Sequence, residues 1–131
     1  MNALPAVTQL QQLPNERIRL ALEIPTYLPV FQGHFPGYPV VPGVAQIDWA
    51  VHFARENMDC RNRFRSMRDI KFSNIIAPPA QVSLELTWQA DKQCLEFLYT
   101  APEAELKTES EPKIKPVPAL TYSSGILQFH P

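Results

Sequence analysis

Two residues of this chain have side chains that are suited to proton transfer. His34 lies in a segment rich in proline and glycine, and Asp48 follows fourteen positions later, at 34 + 14. An imidazole group titrates near neutral pH, so His34 is suited to accept a proton. Asp48 falls on a stretch of apolar residues, where a carboxyl group is expected to keep a proton that it can donate. A second interpretation stays open, in which Asp48 caps its helix or forms a salt bridge with Arg55.

The segment that carries His34 is expected to be stiff and not helical. Residues 31–43 read FQGHFPGYPVVPG and contain three prolines and three glycines. Each proline fixes its own φ angle and drives the residue before it toward an extended conformation. Residues 44–57 contain neither proline nor glycine and are largely apolar as far as residue 54. We therefore predict a helix from about Gly43 to Asn57 that is apolar on nearly every side and for that reason buried.

The start of this helix offers a site for negative charge. The first backbone N–H groups of a helix have no partner within the helix, and the helix dipole adds a positive potential there. Gly43 and Val44 occupy these positions, so their N–H groups are the natural donors to a developing oxyanion. Gly43 also lets a substrate approach the backbone closely, because it has no side chain.

The rest of the chain is predicted to form mainly strands. Residues 1–15 are a lead-in with a short helix over Val7–Leu13, and an alternating apolar pattern predicts a strand from Glu16 to the proline at position 25. Four further strands are predicted over Met67–Ile76, Gln81–Ala90, Gln93–Thr100 and Tyr122–Phe129. Residues 101–119 are rich in proline and charge, and we predict an exposed loop there.

This order of elements predicts one α+β domain over residues 1–131. A helix that is apolar all round must be covered on several sides, and a curved antiparallel sheet of about five strands can wrap it. This arrangement is the hot-dog fold. Because one thin sheet still leaves part of the helix bare, we expect two copies to pair as a homodimer with a continuous sheet.

The composition argues against several classes of protein. Lys and Arg total 12 and Asp and Glu total 13, so the net charge of −1 gives the whole molecule no attraction to nucleic acid or to an anionic membrane. The two cysteines, Cys60 and Cys94, are far apart and form no CxxC motif, which indicates neither a metal site nor a disulfide framework. The N-terminus does not resemble a signal peptide, and no apolar run is long enough to span a bilayer. A cytoplasmic protein without a cofactor is expected.

The segment HFPGYPVVPGV, followed by the acid at Asp48, closely resembles the signature of the 3-hydroxyacyl-acyl-carrier-protein dehydratases of the FabA/FabZ type. In that family the motif reads roughly HFPG-x-P-V-x-P-G-V, with Glu or Asp fourteen positions after the histidine. The IKF strand, the Pro78-Pro79 break and the VSLEL strand also match the family's pattern. The stretches PGVAQIDWA and YSSG are most similar to the small, ApeI-like dehydratases of aryl-polyene pathways. The resemblance covers about residues 16–129 and departs over residues 101–119.

The resemblance implies a hydro-lyase that acts on 3-hydroxyacyl thioesters on an acyl carrier protein and yields trans-2-enoyl products, in fatty-acid-like or aryl-polyene biosynthesis. His34 would take the α-proton, Asp48 would protonate the departing hydroxyl, and the amides of Gly43 and Val44 would stabilise charge on the thioester oxygen. In the family the histidine and the acid come from different subunits of a dimer. Two alternatives stay open, a hot-dog acyl thioesterase and a non-catalytic partner subunit of a heterodimeric dehydratase. FabA-type enzymes also isomerise the double bond, an activity that pocket shape would decide.

Further residues near the predicted site have two interpretations each. His52 lies one turn after Asp48 and either supports it through a hydrogen bond or only packs on its face of the helix. Phe35, Trp49 and Phe53 either line an aromatic tunnel for the acyl chain or fill space in the core.

A local basic run follows the helix in an otherwise neutral chain. It has too few aromatic residues for stacking on nucleic acid. Acyl carrier proteins are acidic, so the run is a candidate docking surface, with a solvated basic loop as the alternative. Its candidate docking residues are Arg61, Arg63, Arg65 and Arg68.

Overall fold

The computed structural model describes residues 4–31, 39–102 and 120–131. His34, Phe35 and residues 103–119 of the predicted loop lie outside the described residues. The elements are β1 (Ala6–Leu13), β2 (Arg17–Ile24), a 3-10 turn (Pro29–Phe31), α1 (Gly43–Asn57), β3 (Phe64–Phe72), β4 (Ala80–Gln89), β5 (Cys94–Thr100) and β6 (Thr121–Phe129). The helix has its predicted bounds, and β2, β4, β5 and β6 agree with their predicted spans to within one residue at each end.

Within the described residues, six strands form one antiparallel sheet in the order β1-β2-β4-β5-β6-β3. One face of this sheet packs against α1, since alternate residues of β2, β4, β5 and β6 enter the same buried cluster as the helix. On β4 the buried side chains are Val82, Leu84, Leu86 and Trp88, the four that the alternating pattern predicts. An antiparallel sheet wrapped on one helix is the predicted hot-dog fold, which the structure confirms.

The N-terminal segment differs from the prediction. The short helix expected over Val7–Leu13 is wrong, because Ala6–Leu13 is strand β1 and pairs with β2. The sheet accordingly has six strands within the described residues, where about five were expected. Most side chains of β1 are exposed, so hydrogen bonding to β2 decides its conformation, and burial contributes little.

Strand β3 begins and ends earlier than predicted. It spans Phe64–Phe72, where the sequence pattern indicated Met67–Ile76. Its register with β6 is interrupted twice, and Asp69, within the second interruption, has a φ angle of 55°. Such bulges break the period of two on which the sequence prediction depends. The last residues of the predicted strand therefore lie beyond the end of β3.

The helix is not buried on every side, contrary to the prediction. Its sheet-facing residues, such as Trp49 and Ala50, are buried, but Val44 is 75% exposed. Asp48 is exposed on the same uncovered side, and Ile47 is half-buried. The sheet of one chain covers only one side of α1, because β3 lies at the sheet edge and no element follows it there.

The uncovered side of the helix adjoins exposed apolar side chains of β3. Phe64, Met67 and Phe72 stand opposite buried residues of β6, so they lie on the helix side of the sheet. They are nevertheless 39%, 47% and 50% exposed. We call Val44, Asp48, Phe64, Met67 and Phe72 the open face. It is an apolar surface with one carboxyl group.

No helix in the part of the chain that the structure describes is both long and apolar enough to cross a membrane.

Candidate active site

Helix α1 begins without a side-chain cap. Pro42 precedes it with φ −62° and ψ 149°, and its carbonyl accepts hydrogen bonds from the N–H groups of Ala45 and Gln46, at 3.1 and 3.2 Å. The N–H groups of Gly43 and Val44 have no acceptor among the described residues. Unpaired N–H groups at a helix start favour an anion or an oxygen that gains negative charge.

Gly43 lies against the side chain of Phe72 at the end of β3. A Cβ atom on Gly43 would come within 2.6 Å of Cζ of Phe72, closer than atoms of this kind approach each other. A side chain at position 43 would therefore push the half-exposed Phe72 ring away from the helix start. The ring lies beside the Gly43 amide.

A cavity of about 180 Å³ opens at this point. Its lining residues come from the segment before α1, the first turn of α1 and the end of β3, and they are Val40, Val41, Gly43, Gln46, Phe72, Ser73, Asn74 and Ile75. The lining is mostly apolar, with the helix start at one side. The cavity is smaller than the roughly 300–1,000 Å³ that is typical of ligand pockets, so in one chain it has room only for a small group beside the helix start.

Asp48 projects from the second turn of α1 and is exposed. The burial that was expected to keep its carboxyl group protonated is not provided by one chain. Its negative charge nevertheless affects a buried residue. Burial raises the pKa of Tyr99 well above its usual range, and the charge of Asp48 raises this pKa further. Tyr99 thus remains a neutral hydrogen-bond donor beneath Asp48.

The predicted alternative of an ion pair between Asp48 and Arg55 is not formed. Arg55 donates through Nη1 to the carbonyl of Cys60 at 3.3 Å and through Nη2 to that of Asn62 at 3.1 Å. Its guanidinium also lies 5.6 Å from the ring centroid of Phe129. Arg55 therefore fastens the chain after the helix, and Asp48 has no salt-bridge partner among the described residues.

His52 does not contact Asp48 in the way that a supporting hydrogen bond requires. Its Nε2 lies 3.3 Å from Oε2 of Glu56, one turn further along the helix. This distance allows an ion pair when the ring is protonated, but the same nitrogen has no hydrogen-bond partner of acceptable geometry. The ring packs edge-on against Phe53 at 5.5 Å. Within one chain the ring packs on its own face of the helix, and the support of Asp48 by His52 stays a prediction.

The aromatic residues expected at an acyl tunnel are in the core. Trp49 and Phe53 are each 3% exposed and belong to the main hydrophobic cluster. The space-filling interpretation therefore fits both residues, and Phe35 is outside the described residues.

The four arginines of the basic run are all exposed, but their surroundings differ. Nε of Arg61 lies 2.7 Å from Oδ1 of Asp59, so its charge is partly compensated. Arg68 donates through Nη1 to Oε1 of Gln128, on the neighbouring strand β6, at 3.3 Å. Arg63 and Arg65 form no salt bridge among the described residues.

The sequence analysis missed Gln46, a polar residue on the buried side of α1. Gln46 is 3% exposed and Ser123 is fully buried. Oε1 of Gln46 accepts a hydrogen bond from the Ser123 hydroxyl at 2.5 Å, and Nε2 donates to the carbonyl of Val41 at 3.2 Å. The hydroxyl of Tyr99 donates to the Gln46 carbonyl at 2.7 Å. An amide between apolar helix residues was the only available signal in the sequence.

No cluster of His, Cys, Asp and Glu side chains within residues 4–31, 39–102 and 120–131 is arranged to hold a metal ion.

Comparison with known proteins points to one family. The family model described as ApeI-like, ApeI dehydratase, matches residues 10–111. The 3-hydroxyacyl-[acyl-carrier-protein] dehydratase FabZ of Geobacter metallireducens is 32% identical over 85 residues, which are 58% of this chain and 57% of that protein. The match thus spans little more than half the length of this relative.

Two solved structures are similar over nearly the whole chain. A chain of the dehydratase heterocomplex ApeI:P from Xenorhabdus doucetiae has a TM-score of 0.79 and 26% identity, with 98% of this chain and 100% of that chain covered. An uncharacterized protein from Erwinia carotovora subsp. atroseptica has a TM-score of 0.77 and 31% identity, with 98% of each chain covered.

The antiparallel sheet wrapped on one helix defines a hot-dog fold, the fold of the matched chain from a dehydratase heterocomplex. More narrowly, the chain belongs to the ApeI-like dehydratase family.

Proposed function

We propose that this protein removes water from 3-hydroxyacyl thioesters on an acyl carrier protein and yields trans-2-enoyl thioesters, in fatty-acid or aryl-polyene biosynthesis. The observation that carries the proposal is the start of α1, where two amides without acceptors among the described residues and the carboxyl group of Asp48 lie on one short stretch of helix. Family membership supports the same reaction.

The two groups lie close together along α1, because Gly43 and Asp48 are five residues apart, or about 7.5 Å along a helix that rises about 1.5 Å per residue. The resemblance implies that the histidine and the acid of one site come from different subunits, so we propose that the complete site forms only when two copies pair.

In the proposed reaction, His34 removes a proton from the carbon beside the thioester carbonyl. The electron pair of that C–H bond forms the double bond as the bond between carbon and the hydroxyl oxygen breaks. Asp48 gives its proton to the leaving oxygen, which departs as water. The amides of Gly43 and Val44 stabilise the charge that the thioester oxygen carries in between.

The decisive test uses the carrier itself as the readout. The purified protein is incubated with 3-hydroxyacyl chains of several types on a carrier protein, and the intact carrier is weighed by mass spectrometry before and after. Loss of one water from at least one substrate is the expected result. Release of the acyl group with a free carrier thiol would indicate a thioesterase instead. An unchanged mass with every substrate would favour the non-catalytic subunit and contradict the proposal.

We propose further that two copies pair through the open face. Its apolar residues are exposed in one chain, and β3 presents an unpaired edge there. Covering this face would also remove water from Asp48, which its predicted role as a proton donor requires. The relative ApeI:P is a heterocomplex, so the identity of the partner copy needs its own test.

Light scattering at micromolar concentration should give about twice the mass of one chain, which is 14.9 kDa. Met67→Lys on the open face should shift the protein toward the monomer, because a charge replaces an apolar contact. Val7→Lys is the matched control, since Val7 is 42% exposed on the opposite edge strand and Met67 is 47% exposed. A native protein that scatters as a 14.9 kDa monomer would contradict the pairing.

The basic run is proposed to dock the acidic carrier. Replacing Arg61, Arg63 and Arg65 by Glu should lower kcat/KM for a carrier-linked substrate by about tenfold or more at low salt, since exposed ion pairs contribute about 0.2–1 kcal/mol each. High salt should have the same effect on the native protein. The triple Lys variant keeps the charge and serves as control, and Arg68 is left in place because it contacts Gln128.

A short pantetheine thioester with the same acyl group separates docking from catalysis. The triple Glu variant should turn it over at the native rate. If both substrates are turned over more slowly, the arginines support the fold or the active site. If neither is affected, the carrier binds elsewhere.

A further inference from the structure

The amide side chain of Gln46 is held in one orientation by its two partners. The carbonyl of Val41 can only accept a hydrogen bond, so the amide nitrogen of Gln46 must face it. The hydroxyl of Ser123 then donates to the remaining oxygen. Both polar atoms are thus satisfied in a place where an unpaired amide would be costly.

The partner of Gln46 lies two residues before the free amide of Gly43. Both backbone polar groups of Val41 are hydrogen-bonded. Its N–H donates to the carbonyl of Ile76 at 2.9 Å, and its C=O accepts from Gln46. Pro42 comes next, and its ring restricts φ to near the observed −62°. The Gly43 N–H shares a planar peptide unit with the Pro42 carbonyl, which accepts hydrogen bonds from the N–H groups of Ala45 and Gln46. The orientation of the Val41 carbonyl adds a second constraint on this unit through Pro42.

We propose that Gln46 is a positioning residue that acts through Val41 to aim the Gly43 amide at the substrate's thioester oxygen. The inference rests on the proposed function for its catalytic consequence. Its geometric part concerns only the chain itself. Ser123 supports the Gln46 side chain from the other side and has no hydrogen bond with the described residues before α1, 39–42.

The test compares Gln46→Met and Gln46→Leu with Ser123→Ala. The Gln46 variants keep most of the side-chain volume but remove the donor to Val41, whereas Ser123→Ala removes a buried hydrogen bond and leaves that donor in place. With a short pantetheine thioester, the Gln46 variants should lower kcat by about 10- to 100-fold, less than the loss of a whole oxyanion donor, while KM changes little. Ser123→Ala should change kcat by less than about threefold, even if its Tm falls by as much as the Tm of the Gln46 variants.

A second readout does not depend on activity. The chain has four glycines, so selective ¹⁵N labelling of glycine gives a short list of amide signals, and the Gly43 signal is the one that Gly43→Ala removes. This signal should move in the Gln46 variants and stay nearly in place in Ser123→Ala. If the native protein proves inactive while the signal moves as expected, the proposed function fails and the positional link stands.

Three outcomes would overturn the inference. A Gly43 signal that moves equally in both kinds of variant would show a general loosening of the core. A kcat that falls in proportion to Tm across all variants would show the same. Failure of both Gln46 variants to fold would assign Gln46 to the stability of the chain and not to positioning.

Discussion

His34→Ala should lower kcat for dehydration of a 3-hydroxyacyl thioester by about 10²- to 10⁴-fold, which leaves turnover close to background. In the proposed reaction no other group removes the α-proton, and alanine has no atom that can do so. The measurement is formation of the trans-2-enoyl product, followed by its absorbance and by the mass of the product. KM should change little, because the amides at the start of α1 still bind the thioester.

The control for this variant is His130→Ala. His130 is exposed at the end of the chain and has no predicted role, so its replacement should leave kcat unchanged. Circular dichroism and light scattering should show native secondary structure and mass for both variants. Turnover near the native rate in His34→Ala would show that another group is the base.

Asp48→Asn should lower kcat by about 10²- to 10³-fold, because the amide keeps the shape of the carboxyl group but cannot hand over a proton to the leaving hydroxyl. Asp48 is exposed in the single chain, so the free energy of unfolding of that chain should change by no more than about 0.5 kcal/mol. A large loss of turnover with little loss of stability is the signature of a residue that acts in the reaction.

Asp91→Asn makes the same change of charge in the turn between β4 and β5, where the side chain is exposed. It should behave as the native protein does. Equal turnover by Asp48→Asn and Asp91→Asn would contradict the assignment of Asp48 as the proton donor. A short pantetheine thioester should be used here, so that carrier binding does not enter the comparison.

The sequence by itself determined the helix and most of the strands. A proline and a glycine fix the start of α1, and an uninterrupted run of residues without either extends to its end at Asn57. On β2 and β4 the alternation of apolar residues identifies the buried face, since a strand has a period of two. These signals lie within a few neighbouring residues, so they are visible without knowledge of the fold.

The candidate site could be predicted only in part. The motif around His34, the position of Asp48 and the two amides at the helix start all follow from residue type and spacing. The exposure of Asp48 did not follow, because the number of apolar residues on α1 does not reveal how much of the helix one sheet covers. The edge position of β3, set by the strand order, decides this.

Contacts between distant parts of the chain decided the rest. β1 is a strand because β2 pairs with it, although its own residues suggested a helix. Gln46 became important only when β6 brought Ser123 to it, across 77 positions of sequence, and Phe72 only when β3 placed its ring on Gly43. Each of these effects is a hydrogen bond or a van der Waals contact whose two halves are far apart in the sequence. Residue patterns report on local backbone preference and on burial, whereas partners of this kind are chosen by the tertiary fold.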